Sequence, residues 1–172
     1  MKKTVLLAED NKDDLLLMTH AWRKTTDDPL QTVKNGQEAI DYLSGEGRFA
    51  DRAKYPVPCL IILDLKMPRR TGLEVLEWMR AHAMYRTIPV IVFTSSAQPD
   101  DIDRAYRLGA NAFVVKPASV QKRTEFARLL KEFWLEHNHP PSACAEQPGS
   151  MRRAATHPGI SVGERTGADP DT

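Results

Sequence analysis

The sequence has little cysteine, no long apolar run and almost no net charge. Its two cysteines, Cys59 and Cys144, form neither a disulfide framework nor a CxxC metal site, which favours the cytosol. No apolar stretch approaches the roughly 18 residues of a membrane span, and the apolar run before Glu9 is too short for a signal peptide. The formal charge of +1 gives no overall field that would attract nucleic acid or an anionic membrane. We therefore expect a cytoplasmic protein that binds neither.

The composition divides the 172 residues into a folding unit and a tail. Residues 137–172 contain five of the twelve prolines and four of the nine glycines, but no phenylalanine, tryptophan or tyrosine. Such a stretch cannot bury enough apolar area to offset the entropy of ordering it, so we expect a disordered tail. It is either an inert extension or a segment for partner binding or processing. Residues 1–136 are enough for one domain with its own core.

Short apolar runs alternate with amphipathic stretches within residues 1–136. The runs predict strands at 4–8, 30–33, 59–63, 90–93 and 112–115. The stretches that follow them predict five helices, including a short one at 37–43, the fourth at 100–108 and the last at 120–136. Strict alternation indicates an α/β protein with a doubly wound, five-stranded parallel sheet and helices on both faces, which makes three layers.

Polar side chains follow four of the predicted strands. Glu9 and Asp10 come directly after the first strand, and Asp64 follows the third. Thr94 follows the fourth strand and Lys116 the fifth. In a doubly wound sheet, chemistry gathers beyond the carboxyl ends of the strands. The sequence therefore predicts one crevice that contains three carboxylates, a hydroxyl and an ammonium.

These side chains favour phosphoryl transfer with a divalent cation. Three carboxylates at close range repel one another unless a cation intervenes, and an all-oxygen site beside solvent suits Mg²⁺. Lys116 could pair with Asp64 in an empty site and bind an anion when one arrives, while Thr94 offers that anion a neutral donor. Phosphoryl transfer uses a metal and a lysine to neutralise the moving charge, and an aspartate can be the nucleophile.

Other interpretations compete with this one. Glu9 and Asp10 could merely stabilise the N-terminus of the first helix. Asp64 is harder to explain in that way, because an unpaired acid buried at a central strand end costs several kcal/mol. A haloacid-dehalogenase-type phosphatase would need an aspartate at position 66, where the chain has Lys66. A dinucleotide-binding domain would need a G-x-G-x-x-G after a strand, and none occurs.

The ordered set of motifs resembles the receiver domain of bacterial two-component response regulators. The resemblance covers residues 3–136 and implies a flavodoxin-like sheet with strand order 2-1-3-4-5. The motifs that carry it are Glu9-Asp10, Asp64 with Pro68 and Gly72 after it, Thr94, and Lys116-Pro117.

The resemblance assigns a phosphoacceptor and a metal site. Asp64 would accept a phosphoryl group from a sensor histidine kinase. Mg²⁺ would be bound by Glu9, Asp10, Asp64 and the backbone carbonyl of Lys66. The protein would take part in this Mg²⁺-dependent transfer without being an enzyme in the ordinary sense.

The resemblance also assigns the residues that respond to phosphorylation. Lys116 and Thr94 would contact the phosphoryl oxygens. Phe113 would be the switch aromatic, whose rotamer follows Thr94. The bond between Lys116 and Pro117 would be cis, as in the family.

Two further features resemble the small response regulators that pair with phytochrome histidine kinases in cyanobacteria and other bacteria. They are the long connection at 44–58 and the aromatic end of the last helix at 132–135. That group implies a homodimer through the face made by the fourth helix, fifth strand and fifth helix. The last helix carries more apolar residues than one stripe against the sheet needs, namely Phe126, Leu129, Leu130, Phe133 and Trp134.

No output domain is expected after residue 136, because no helix-turn-helix pattern, basic stripe or second catalytic set follows it. We therefore expect a stand-alone regulator that works by protein contact or by relaying phosphate. The alternative is a receiver-like scaffold or dimerisation module that acts without phosphorylation.

Overall fold

A computed structural model describes residues 2–139 as one sheet of five parallel strands with helices on both faces. The strand order β2-β1-β3-β4-β5 confirms the order that the resemblance implied. The predicted strands differ from the observed ones by at most one residue at either end. The strands are β1 (Val5–Ala8), β2 (Leu30–Val33), β3 (Leu60–Leu63), β4 (Val90–Thr94) and β5 (Ala112–Val115).

Five α-helices follow the strands in strict alternation, as predicted. They are α1 (Lys12–Thr25), α2 (Gly36–Ser44), α3 (Gly72–Ala81), α4 (Pro99–Arg107) and α5 (Val120–Leu130). The predicted last helix, 120–136, differs in its second half, because a π-helix (Lys131–His137) continues α5. Over these seven residues, the apolar spacing does not distinguish α-helical from π-helical turns. From residue 140 on, the predicted tail at 137–172 lies outside the described residues.

The sheet separates two apolar cores. The three central strands β1, β3 and β4 are buried along their whole length, as expected of parallel strands covered on both faces. One core lies between the sheet and α1 with α5, and includes Met18, Trp22, Ala127 and Leu130. The other lies between the sheet and α2, α3 and α4. No helix within residues 2–139 is long and apolar enough to cross a membrane.

The long connection before β3 packs as an aromatic cluster against α2. Tyr42 lies 5.2 Å from Phe49 and 6.0 Å from Tyr55, measured between ring centroids. The guanidinium of Arg52 donates to the backbone carbonyls of Tyr42, Leu43 and Tyr55. Two of these carbonyls, those of Tyr42 and Leu43, lie in the last turn of α2, where helix carbonyls lack the usual partners further along the helix. The connection is thereby bound to α2.

Candidate functional site

The acidic residues after β1 and β3 are neighbours because these strands are paired in register. Ala8 lies opposite Leu63, and the backbone N–H of Asp64 donates to the carbonyl of Ala8 at 3.0 Å. Glu9 therefore lies beside Asp64 at the carboxyl edge of the sheet. At this edge the chain leaves β1 for β2 on one side, whereas β3 pairs with β1 on the other side. Such a reversal of strand order is the usual place for a ligand site in these sheets.

Glu9, Asp10 and Asp64 form an acidic cluster. Each offers a carboxylate oxygen, and these oxygens all lie within 4.8 Å of one another. Glu9 and Asp64 are buried, whereas Asp10 is exposed. The N–H of Lys66 lies 3.4 Å from Asp64 Oδ1, which places this residue beside the cluster. A set of hard oxygen donors that is open to solvent on one side fits a divalent cation such as Mg²⁺.

Lys116 reaches into the same cluster from the end of β5. Its Nζ lies 2.6 Å from Glu9 Oε2 and 3.2 Å from Asp64 Oδ2, so the predicted pairing with Asp64 is present. A third carboxylate, Asp14 on α1, lies 3.0 Å away. The ammonium is almost completely buried, with 5% of the side chain exposed. The positive charge thus partly neutralises three carboxylates in a poorly hydrated position.

Burial and charge act in opposite directions on the pKa values of this pair. Burial alone would lower the pKa of Lys116, but the hydrogen bond to Glu9 and the charges of Asp64 and Glu9 raise it above its ordinary value. Burial raises the pKa of Glu9 to about 7, and Lys116 offsets only part of this effect. A divalent cation at the cluster would favour the charged form of Glu9.

The raised pKa of Glu9 predicts that stability depends on pH in buffer without divalent cations. The folded protein binds the Glu9 proton more tightly than the unfolded chain does. The resulting stabilisation is complete below about pH 4.5 and is lost as the pH rises through about 7. Relative to Glu9→Gln, we expect the wild type to lose on the order of 2 kcal/mol of unfolding free energy between pH 5 and pH 8. Urea unfolding at several pH values measures this loss, and parallel curves for the two proteins would contradict the assignment.

The N-cap of α1 is neither Glu9 nor Asp10. Asn11 is the N-cap, and its side chain accepts hydrogen bonds from the N–H groups of Asp13 and Asp14, both at 3.0 Å. Glu9 instead accepts from the N–H of Asn11 at 3.1 Å. The capping interpretation of the two acids is therefore wrong, and both carboxylates point to the cluster.

Thr94 and Phe113 lie on the neighbouring strands β4 and β5. Thr94 is fully buried, and its Oγ1 accepts from the N–H of Ser96 at 3.3 Å. Its carbonyl accepts from the N–H of Lys116 at 2.8 Å, so the two residues share the end of the β4–β5 ladder. Phe113 is half-buried and packs against the core on the α2–α3–α4 side.

The predicted cis bond between Lys116 and Pro117 is absent. None of the peptide bonds in the described part of the chain is cis. The trans form is the more stable one for a bond before proline, by about 0.5–1 kcal/mol.

Two residues of the site were not predicted, Asp14 and Arg123. Asp14 lies in the first turn of α1 and reaches Lys116 at 3.0 Å. Arg123 lies on the buried side of α5, in line with Ala127 and Leu130, and bonds Asp14 at 2.7 Å. A charged residue on the apolar stripe of a helix is a signal that the sequence contained.

The fold and the site together define a receiver domain, with acidic residues after β1 and β3 and a lysine after β5. The family model of the response regulator receiver domain matches residues 5–128. The chain therefore belongs to the response regulator receiver family of two-component systems, as the motifs indicated.

One response regulator is similar to this chain in both sequence and structure. The response regulator Rcp1 of Synechocystis sp. is 32% identical over 142 residues, which are 82% of this chain and 95% of Rcp1. The Mn²⁺-bound form of Rcp1 superposes with a TM-score of 0.73 at 31% identity, covering 81% of this chain and 99% of that one.

Two other solved structures are similar to this chain. The phosphorylated cyanobacterial phytochrome response regulator RcpA has a TM-score of 0.76 at 34% identity, covering 82% of this chain and 99% of RcpA. The response regulator RPA3017, from red light signaling of R. palustris, has a TM-score of 0.76 at 36% identity. The match covers 81% of this chain and 98% of the RPA3017 chain. These matches confirm the resemblance to small phytochrome response regulators.

Proposed function

We propose that the chain is a stand-alone, cytoplasmic response regulator that accepts a phosphoryl group from a sensor histidine kinase on Asp64. The observation that carries this proposal is the position of the Lys116 ammonium between Glu9 and Asp64, beside a cluster of oxygens that suits a divalent cation. A buried acid with a purely structural role would need one cationic partner, but it would not need two further carboxylates beside it.

The transfer needs little covalent chemistry from the protein. An oxygen of Asp64 attacks the phosphorus of the kinase phosphohistidine, so an O–P bond forms while the N–P bond breaks. The electron pair of the broken bond remains on the histidine ring, which leaves as neutral imidazole after protonation. The product is an acyl phosphate with a charge close to −2 where the carboxylate had −1, and Lys116 meets part of that charge. Thr94 donates a hydrogen bond to a phosphoryl oxygen.

Mg²⁺ is the cofactor that we assign to the acidic cluster. The carboxylates of Glu9, Asp10 and Asp64 would hold it, and the backbone carbonyl of Lys66 would complete the protein ligands. Bound there, the ion would supply positive charge to the phosphoryl oxygens.

Asp10→Asn should weaken Mg²⁺ binding by about tenfold or more, because one of the anionic ligands becomes neutral. Asp10 is exposed, so the change should leave the fold intact. Titration calorimetry with MgCl₂ measures the affinity, and MnCl₂ provides a second cation. Asp13→Asn is the matched control, since Asp13 is also exposed and lies in the first turn of α1. Equal losses in both variants would mean that general surface charge, not ligation, sets the affinity.

Thr94 and Phe113 would transmit the phosphorylated state to the surface. If Thr94 moves towards the phosphoryl group, the space it leaves beside β5 allows the half-buried Phe113 ring to turn inwards. The face made by α4, β5 and α5 then changes its packing. This step converts a local charge change into a change of contact surface.

A phytochrome histidine kinase is the partner that the relatives favour. The decisive experiment incubates the protein and MgCl₂ with several radiolabelled histidine kinases and follows the label into the protein. We expect transfer from a phytochrome kinase to be much faster than transfer from unrelated kinases. Absence of transfer from every kinase would favour the alternative, a scaffold that acts without phosphorylation.

We place a homodimer contact on the α4–β5–α5 face. Each element of this face contributes an exposed large apolar side chain: Tyr106 (50% exposed), Val115 (45%) and Val120 (47%). Of the five apolar residues noted on the last helix, Phe126, Leu130 and Trp134 pack against the core. Leu129 and Phe133 remain exposed. Positions 120 and 129 lie nine residues apart, which is half a turn out of phase on an α-helix, so Leu129 lies on a different side.

Tyr106→Ser combined with Val120→Ser should weaken dimerisation by about tenfold, because it removes apolar anchors from the contact. Sedimentation velocity with and without fluoroberyllate, a phosphoryl analogue, measures the monomer–dimer equilibrium. Leu129→Ser is the control on the opposite side of α5. Loss of the dimer in the control alone would move the contact to that side, and a monomer under all conditions would remove it.

A further inference from the structure

Lys116 has one carboxylate partner that belongs to neither the metal cluster nor the phosphoacceptor. Its Nζ lies 2.6 Å from Glu9, 3.0 Å from Asp14 and 3.2 Å from Asp64. The ammonium donates hydrogen bonds to Asp14 and Asp64, and the Glu9 carboxylate is a third charged neighbour. An ammonium group has only three N–H donors, so a phosphoryl group on Asp64 competes with Asp14 and Glu9 for them.

Asp14 is itself held in place by a second cation. Arg123 Nη2 lies 2.7 Å from Asp14 Oδ1, whereas Lys116 takes Oδ2 of the same carboxylate. Arg123 Nε also donates to the carbonyl of Pro117 at 2.9 Å, next to Lys116 in the chain. The Asp14 carboxylate therefore bridges two cations, and α5 fixes its position through Arg123.

The burial of Arg123 is not explained by packing. The residue is 7% exposed, and its Nη1 is the only buried side-chain nitrogen or oxygen within residues 2–139 that has no hydrogen-bond partner. An unsatisfied buried donor costs stability, and an apolar side chain at such a position is often at least as stable. The hydrogen bonds that Arg123 does make go to Asp14 and Pro117, on two sides of Lys116.

We propose that Asp14 and Arg123 are positioning residues that set how readily Lys116 binds the phosphoryl group. Asp14 competes with the phosphoryl group for the ammonium. Arg123 shares the charge of Asp14 and so weakens that competition. This inference rests on the proposed function, in which Asp64 carries the phosphoryl group and Lys116 meets it.

The two residues have opposite effects in this arrangement. Asp14→Asn removes the negative charge that competes for Lys116, so the phosphorylated form becomes more stable. Arg123→Gln leaves the whole Asp14 charge to Lys116, so the phosphorylated form becomes less stable. A merely structural ion pair would give the same sign in both variants, since each change breaks the same contact.

Fluoroberyllate binding in MgCl₂, followed by ¹⁹F NMR, tests these signs without a kinase. We expect Asp14→Asn to bind the analogue about fivefold more tightly and Arg123→Gln about fivefold more weakly, the size of one partly exposed ion pair. The double variant should behave like Asp14→Asn, because Arg123 acts through Asp14. Arg123→Met, with the same expected result, replaces Arg123→Gln if that variant does not fold.

The outcomes separate this inference from the proposed function. If the wild type binds no fluoroberyllate, the proposed function fails, and this inference fails with it. If the wild type binds it and both single variants shift in the same direction, or neither shifts, only the positioning role is overturned. A double variant that binds as weakly as Arg123→Gln would show that the bond to Pro117, not the shared charge, matters, and would also overturn it.

Discussion

Asp64→Asn should give a folded protein to which no kinase can transfer a phosphoryl group. The amide has nearly the shape of the carboxylate but cannot form the acyl phosphate. Lys116 keeps Glu9 and Asp14 as partners, and one negative charge leaves a crowded cluster. We therefore expect label transfer to fall to background while the melting temperature changes by only a few degrees. Transfer of radiolabel from a phosphorylated histidine kinase is the measurement.

The matched control for this change is Asp103→Asn. Asp103 is an exposed aspartate on α4, outside the acidic cluster. This variant should accept label as the wild type does. Label that still enters Asp64→Asn at a comparable rate would place the phosphoacceptor elsewhere. If partner binding by Asp64→Asn still responded to the kinase, the protein would act without phosphorylation, as the scaffold alternative requires.

Gly72→Ala should cause the largest loss of stability among single methyl additions near the site. Gly72 is the first residue of α3, and a Cβ there would lie 2.1 Å from the carbonyl oxygen of Asp64 and 2.8 Å from Cα of Leu65. Both neighbours are backbone atoms, so relief requires the β3–α3 loop to move. We expect unfolding free energy to fall by about 2–3 kcal/mol. Phosphorylation should slow as well, since the same shift displaces the Asp64 carboxylate.

Gly47→Ala separates this clash from the general effect of replacing a glycine. Gly47 has φ of +54°, but an added Cβ would meet nothing within 4 Å. The variant should lose about 1 kcal/mol from the left-handed backbone alone and keep its phosphorylation rate. Urea unfolding of the three proteins gives the comparison. Equal losses of unfolding free energy in the two variants would mean that the close approach to the Asp64 carbonyl is not the reason for glycine at position 72.

The parts of the fold that depend on short-range patterns could be predicted from the sequence. The run Leu60–Leu63 is apolar at every position, which only a strand buried on both faces requires. The end of this run also predicted that Asp64 lies at the ligand-binding edge, because the residues that follow the strands of a parallel sheet gather at one edge. Strand order came from family motifs and not from local patterns, since apolar spacing contains no information on which strands are neighbours.

The parts that were missed depend on contacts between distant segments. Asp14 and Lys116 are 102 positions apart, and no local pattern pairs them. Arg123 was visible as a charge on a buried stripe, but its partner was not. The change from α5 to a π-helix at Lys131 is equally hidden, because the segment has only seven residues, too few for its apolar spacing to show the longer turn.

The pairing of β1 has a consequence for how the protein folds. Val5 pairs with Leu30 on one side and with Leu60 on the other, so the central strand closes loops of very different length. Contacts so far apart in sequence form late, because the chain entropy of the loop is lost before the sheet gains its core. The acidic cluster spans this junction, so it comes into existence only when β1 and β3 have joined. We therefore expect that a chain in which β1 and β3 have not yet joined neither binds the metal nor accepts a phosphoryl group, so that only the completely folded protein receives a signal.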